Sequence, residues 1–193
     1  LTPRFRDWFY PIGLTVLIYS TLPVGPWIIN FFNNYIAKGY LSFSINLLLL
    51  IIGIVLFLIC VIRFKTREPI RYLWLLAIFL AAFDIIQIPG SPAERIHFLE
   101  YAIVSILWWR VIRYYSVSDW QSYFTAFLLT AFLGCLDECI QFFLPNRFFG
   151  FDDIIRNVLG GALGVVYFAL VGRKKLIHQK VHCPNRINEP EKY

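Results

Sequence analysis

Between Leu41 and Ile62 the chain runs for 22 residues without a single charge. A bilayer core asks for about 20 mostly apolar residues per helical crossing. The run is therefore read as a membrane-spanning helix, and the rest of the chain has to be compatible with lipid. A β-barrel would need alternating apolar and polar residues, whereas Leu47 to Ile52 and Ile54 to Ile62 are continuously apolar. Helices are the remaining spanning structure, because only they satisfy every backbone polar group within one segment. Of the 193 residues 59% are hydrophobic and 16% charged, well below the roughly one quarter charged of a soluble domain. About six crossings with short connections use up such a length.

The other apolar stretches follow in order. The first, Trp8 to Phe32, is interrupted by Pro11, Pro23 and Pro26 and is read as one kinked helix. Arg4 and Arg6 before it imitate a signal peptide, but its length and the lack of a small-x-small cleavage site favour a retained helix. The third, about Ile70 to Ile88, carries Asp84 and Gln87 near its end and is closed by Pro89-Gly90-Ser91-Pro92. The fourth, about Ile96 to Tyr115, has Glu100 and Arg110 within it, and spans if Arg110 and Arg113 snorkel beside Trp108, Trp109, Tyr114 and Tyr115. The fifth, Trp120 to Leu144, starts behind a Ser118-Asp119 cap and holds Asp137, Glu138 and Gln141 before Pro145. The sixth, about Ile154 to Gly172, follows Asp152-Asp153 and ends at Arg173-Lys174-Lys175. A polar tail, Leu176 to Tyr193, completes the chain. With Leu1 first and no Met in the chain, position 1 is read as something other than a native start site.

Counting Lys and Arg on alternate sides gives an orientation. The N-terminus, the second-to-third and fourth-to-fifth connections and the tail hold 14 of the 18, and the other face only Lys38, Arg95, Arg147 and Arg156. The expectation is an all-α polytopic bundle in the cell's inner (cytoplasmic) membrane, multi-pass, with both termini cytoplasmic and the connections after spans three and five outside. The net charge of +6 is spent on this asymmetry rather than on a basic, aromatic-interleaved stripe, so nucleic acid is not an expected partner. Cys60, Cys135, Cys139 and Cys183 lack nearby ligands at metal spacing and are read as small core residues.

Nearly all the intramembrane polarity falls on the two outward connections and their helix ends: Asp84, Gln87, Glu94, His97 and Glu100, then Asp137, Glu138, Gln141, Arg147, Asp152, Asp153 and Asn157. An ionisable group inside a span costs several kcal/mol unless paired or wetted, so these are functional candidates. His97 and Glu100, Glu138 and Gln141, Asp137 and Gln141, and Asp153 and Asn157 are three or four apart, each pair on one helix face. Asp137 and Glu138 precede Pro145 by about 10 to 12 Å of helix, well below the membrane surface. Two adjacent carboxylates there cannot both ionise cheaply, so at least one is protonated or matched by Arg147, Arg156 or His97. Such a place suits proton transfer, cation binding or head-group recognition. The same groups would equally serve to pin helices together through buried hydrogen bonds.

Other features have blander readings. Asp152 and Asp153 open the sixth helix, where carboxylates meet the positive end of its dipole. Gly160, Gly161 and Gly164 lie inside a span with no strand before them, which favours close helix packing over phosphate binding. His178, His182 and Cys183 are read as part of a surface tail, with metal binding the alternative. Asp84-Ile-Ile-Gln87 and Glu138-Cys-Ile-Gln141 echo one another, either as traces of a duplicated hairpin or by chance.

Leu136-Asp137-Glu138-Cys139-Ile140-Gln141-Phe142-Phe143-Leu144-Pro145-Asn146-Arg147, followed by Asp152-Asp153-Ile154-Ile155-Arg156-Asn157 and the glycine-rich Val158 to Gly164, resembles the signature of the VanZ-like family. That signature joins a helix-borne Glu-x-x-Gln to a later Asp-x-x-x-Asn. His97-Phe98-Leu99-Glu100-Tyr101-Ala102 is similar to the family's His-Phe-x-x-Tyr-Ala segment, and Ser20-Thr21-Leu22-Pro23 to the end of its first helix. The likeness covers about residues 95 to 170. It implies a small bacterial cell-envelope membrane protein, associated in the named member with low-level resistance to teicoplanin, and it highlights His97, Glu138, Gln141, Arg147, Asp153 and Asn157. The corresponding division is an N-terminal two-span region (1–69), a VanZ-like helical domain of about four spans (70–175) and a cytoplasmic tail (176–193).

The leading expectation is an outward-facing pocket that binds or modifies a polar envelope component or lipid head group. In an enzyme version His97 is the general acid/base, Glu138 or Asp153 its partner or a metal ligand, and Arg147 an anion clamp. Glu100, Asp137, Gln141, Asp152, Asn157, Asp84 and Gln87 line the substrate. The reaction would be hydrolysis or transfer at a lipid-linked phosphate; no cofactor is called for beyond an optional divalent cation. The expected partners are membrane lipids and a lipid-linked envelope precursor. The rival classes are a proton- or ion-coupled transporter, for which six spans would favour a homo-oligomer, and a structural or assembly subunit.

Overall fold

The computed structural model describes residues 5–35, 40–64, 69–86, 92–145, 147 and 149–171, which form seven α-helices and no strand. In chain order they are α1 (Phe5–Thr21), α2 (Gly25–Tyr35), α3 (Tyr40–Phe64), α4 (Pro69–Ile86), α5 (Pro92–Ile112), α6 (Asp119–Phe142) and α7 (Phe151–Val171). Gln87, the Pro89 to Ser91 closure, and His178, His182 and Cys183 of the tail lie outside the described residues, as do the side chains of Cys60, Asp84 and Glu94.

The first apolar stretch is two helices rather than one kinked helix. Pro11 is accommodated inside α1, where Thr15 Oγ1 returns a 2.8 Å bond to its carbonyl. The break comes at 22–24, and Pro26 sits in the first turn of α2, where a missing N–H costs nothing. Across the break the axes bend by 56°. Two further boundaries differ from expectation. α5 begins at Pro92, again a proline in a first turn, and α7 begins at Phe151, so that Asp152 and Asp153 lie within its first turn. Ser118 caps α6 as expected, its side chain accepting from Gln121 N.

By length and composition, α6 and the Phe151–Leu170 part of α7 are each fit to cross a membrane, and the bent α1–α2 pair counts as a third if it is one span. α3 and α4 present shorter apolar stretches among the described residues, Tyr40–Val55 and Tyr72–Phe83.

α6 shows why the bundle closes as it does. Its buried face is Ser122, Ala126, Thr130, Gly134, Asp137, Glu138 and Gln141, small and polar at spacings of three and four. Phe124, Leu128, Phe132 and Leu136 make the exposed stripe. This inverts the pattern of a soluble helix, as expected where lipid offers no hydrophobic drive and association rests on close packing and hydrogen bonds. Cys139 falls on the exposed side and Cys135 is half-buried, so the reading of the cysteines as core residues fails for Cys139.

α7 packs against both α5 and α6, α1 leans on α5 and α6, α3 lies on α5, and α4 lies on α7. The glycines of α7 make this approach: a Cβ at Gly160 would strike the Phe98 carbonyl, and one at Gly164 the Ala102 carbonyl and Ser105 Oγ. Towards α6, a Cβ at Gly161 would lie 2.9 Å from Thr130 Cγ2, and one at Gly134 2.7 Å from Asn157 Cβ. Packing thus accounts for all these positions.

Candidate functional site

The start of α5, the end of α6 and the start of α7 lie at one end of the bundle, with the 22–24 break beside them. At the opposite end Arg110 pairs with Asp7 at 3.0 Å, so the arginine expected to snorkel has a buried carboxylate instead. There Trp109 Nε1 donates to Ser122 Oγ at 3.1 Å, and Arg113 lies 5.0 Å from the Trp109 ring centroid.

The polar end divides into two linked groups. In the first, Glu138, 1% exposed, is fully engaged: Oε1 accepts from Gln141 Nε2 at 2.8 Å and Oε2 from Gly150 N at 3.3 Å. The helix-borne Glu-x-x-Gln pair is therefore real, and it ties the end of α6 to the start of α7. Asp153 bonds to Arg156 one turn on, and Arg156 is itself buried. Asp153 and Asp137 are near enough to Glu138 to interact electrostatically. Asn157 Nδ2 donates to Gly134 O at 3.3 Å, leaving Oδ1 buried without a hydrogen bond. Asp152 is exposed.

The second group surrounds Asp137, which is 0% exposed. Neither of its oxygens completes a hydrogen bond, although Tyr101 and Gln141 lie beside it. His97 Nδ1 is 3.7 Å from Asp137 Oδ2 and 3.0 Å from Glu100 Oε2, with hydrogen-bond geometry met to neither. Tyr101 and Tyr19 reach the same level, both hydroxyls donating to Leu133 O, at 3.3 and 2.8 Å.

Arg147 joins the groups to α1. Its Nε and Nη2 donate to Leu22 O at 3.3 and 3.2 Å, satisfying a carbonyl freed by the helix break. Gly25 leaves room for the guanidinium, against which a Cβ would collide. The charge of Arg147 is also felt at His97. Of the three cations considered as partners for the adjacent carboxylates, His97 approaches Asp137, Arg156 is bonded to Asp153, and Arg147 holds a backbone carbonyl.

His97, Glu100, Asp137, Glu138, Gln141, Arg147, Asp153 and Asn157 are thus gathered at one end; the side chain of Asp84 and all of Gln87 are undescribed. Sequence reasoning passed over Tyr19, the Gly150 N–H and the Leu22 carbonyl. The first carried no charge and the other two are backbone groups, though Ser20 to Pro23 had marked the region. Tyr101 stood within the quoted His-Phe-x-Glu-Tyr-Ala segment, but had no role. Among the described residues no three His, Cys, Asp or Glu side chains stand together as metal ligands.

The profile of the family described as VanZ/LLP1 matches residues 8–172. Comparison with curated proteins and with solved structures returns no match. The match takes in every described helix but the first residues of α1, including α1 to α4, which hold the first three apolar stretches, on which the sequence likeness was slight. This all-helical membrane chain belongs to the VanZ/LLP1 family.

Proposed function

We propose that the polar end of the bundle faces out of the cell and forms a pocket that binds, and by proton transfer modifies, a polar envelope component or lipid head group. A contribution to teicoplanin-type resistance would follow from such chemistry. The observation that carries the reading is Asp137. It is wholly buried, lacks a completed hydrogen bond on either oxygen and stands beside His97, an imidazole shared with Glu100. A buried carboxylate whose nearest cationic neighbour is a histidine, with the polar side chains of Tyr101 and Gln141 beside it, is the arrangement of a proton-handling site.

In this reading His97 is the general acid/base and Asp137, with Glu100, its partner. Glu138 holds Gly150 at the start of α7, and Arg147 supplies positive charge to an anionic substrate, with a lipid-linked phosphate the class to test. The excess of Lys and Arg on the other connections supports an inner-membrane, multi-pass arrangement with about six crossings and both termini cytoplasmic. Susceptibility to teicoplanin should rise to that of cells without the protein on Asp137→Asn or His97→Gln, at unchanged expression and melting temperature. Full protection by both variants overturns the reading. Turnover of a lipid-linked phosphate by the purified chain, with and without divalent cation, separates enzyme from binding protein.

The complete burial of Asp137 favours a second reading, a proton-coupled carrier working as a homo-oligomer. Substrate uptake into proteoliposomes only under a proton gradient would select it. The Asn157 to Gly134 bond, which pins α7 to α6, fits an assembly subunit. For that reading Asp137→Asn would leave activity intact and release a copurifying partner.

A further inference from the structure

On the far side of α5 from His97 lies a cavity of about 530 Å³ enclosed by α3, α4, α5 and α7. Phe98, Leu99, Ala102, Ile103 and Ile106 form its α5 wall; at 100° per residue they share one face of the helix, roughly opposite His97, Glu100 and Tyr101. The lining is almost entirely hydrocarbon. Along α3 it extends from Phe43 to Phe57, about 21 Å at 1.5 Å per residue. One leaflet of a bilayer core is about 15 Å deep. The cavity is therefore a slot running along the helices, open at its side, and long enough for a chain that enters at one surface and reaches past the midplane.

Its polar end is built around a cation. Asn46, itself part of the lining, accepts from Arg95 Nη1 at 2.6 Å, and Ser42, one turn earlier on α3, accepts from the same nitrogen at 3.2 Å. Both partners are neutral, Nε is buried without a hydrogen bond, and no carboxylate pairs with Arg95 among the described residues. A guanidinium fixed at the edge of hydrocarbon whose described partners are all neutral is suited to receive an anion. Arg95 belongs to the same face of α5 as the cavity wall, about one turn before Phe98 and Leu99.

We propose that this slot is a binding site for an anionic phospholipid of the leaflet at the polar end, with one acyl chain between α3, α4 and α5 and its phosphate on Arg95. Phosphate and hydrocarbon are adjacent in such a lipid in the order in which Arg95 and the slot are adjacent here. The site is separate from the Asp137 and His97 group and does not depend on that group's function.

The test uses the full chain in nanodiscs containing a photoactivatable acyl-chain analogue of either phosphatidylglycerol or phosphatidylcholine. The phosphatidylglycerol probe should crosslink to slot residues of α3 and α5 in preference to phosphatidylcholine. Arg95→Gln should reduce that preference by about fivefold, the attraction one basic residue gives to an anionic lipid. Leu50→Trp, which adds bulk to the slot from α3, should reduce crosslinking of both probes at a native melting temperature. Asp137→Asn should leave all of these values unchanged, so that loss of the proposed proton chemistry and loss of lipid are read separately. Crosslinks confined to the outer surface of the bundle, or an Arg95→Gln variant with undiminished phosphatidylglycerol preference and a native melting temperature, overturn the proposal.

Discussion

Replacing Glu138 by Ala removes a carboxylate whose two oxygens each hold a separate piece of the polar end, Gln141 through one and the Gly150 N–H through the other. A buried donor stranded without an acceptor costs about 1–3 kcal/mol. Gly150 is part-buried and belongs at the lower end, so the two losses together come to about 2–4 kcal/mol. For a chain of this length each kcal/mol lowers Tm by about 2–4 °C, and the variant should melt on the order of 10 °C below the parent. Glu138→Gln differs in an informative way. Its carbonyl oxygen still accepts from Gly150, and its amide NH₂ meets Gln141, whose own amide can rotate to accept. That variant should stay within about 1 kcal/mol of the parent. Thermal melting in detergent, followed by the fluorescence of the six tryptophans, reads both. A Glu138→Ala protein that melts with the parent refutes the account of Glu138 as the tie between α6 and α7. A Glu138→Gln protein as unstable as the Ala variant would show that negative charge, not the count of acceptors, matters there.

Two further outcomes follow from packing and charge. Gly164→Val drives a side chain into the Ala102 carbonyl and Ser105 Oγ, and should cost about 1–3 kcal/mol. Gly161→Ala meets the side chain of Thr130 rather than backbone and should cost less; the same melting assay ranks them. Arg110→Gln breaks the ion pair to Asp7, in which Arg110 is about half exposed. Because Asp7 is buried, the loss should be about 1–3 kcal/mol, and the double variant with Asp7→Asn should recover part of it.

What could be foreseen from the chain depended on how far apart the partners are. Glu138 and Gln141, His97 and Glu100, and Asp153 and Arg156 are i, i+3 neighbours, and a helical repeat alone brings such side chains together. Gly160 and Gly164 were legible as packing positions for the same reason. Contacts across the bundle were not. Asp7 and Arg110, Arg147 and the Leu22 carbonyl, and Arg95 and Asn46 are each brought together by how the helices dock, which no spacing encodes. Asn46 in particular sat unnoticed inside the most apolar stretch of the chain. The break at 22–24 was announced by Pro23 and Pro26, but not its 56° angle, which sets the Leu22 carbonyl towards Arg147. Asp137 is a different case: sequence put it among the substrate-lining residues and Glu138 among the catalytic ones. In the proposed reading Asp137 takes the proton-handling role beside His97, and Glu138, with both oxygens engaged, is a structural tie.

In the proposed orientation the end of the bundle holding Asp137 and His97 faces out of the cell. Phe149, before α7, marks that end, and Val117, 92% exposed between α5 and α6, marks the other. In a chain with its four cysteines replaced by alanine, Phe149→Cys and Val117→Cys can be challenged separately with a membrane-impermeant maleimide on intact cells. With that orientation Phe149→Cys should label at once and Val117→Cys only after the membrane is opened. The reverse pattern would place the polar end inside the cell and contradict an envelope-facing function.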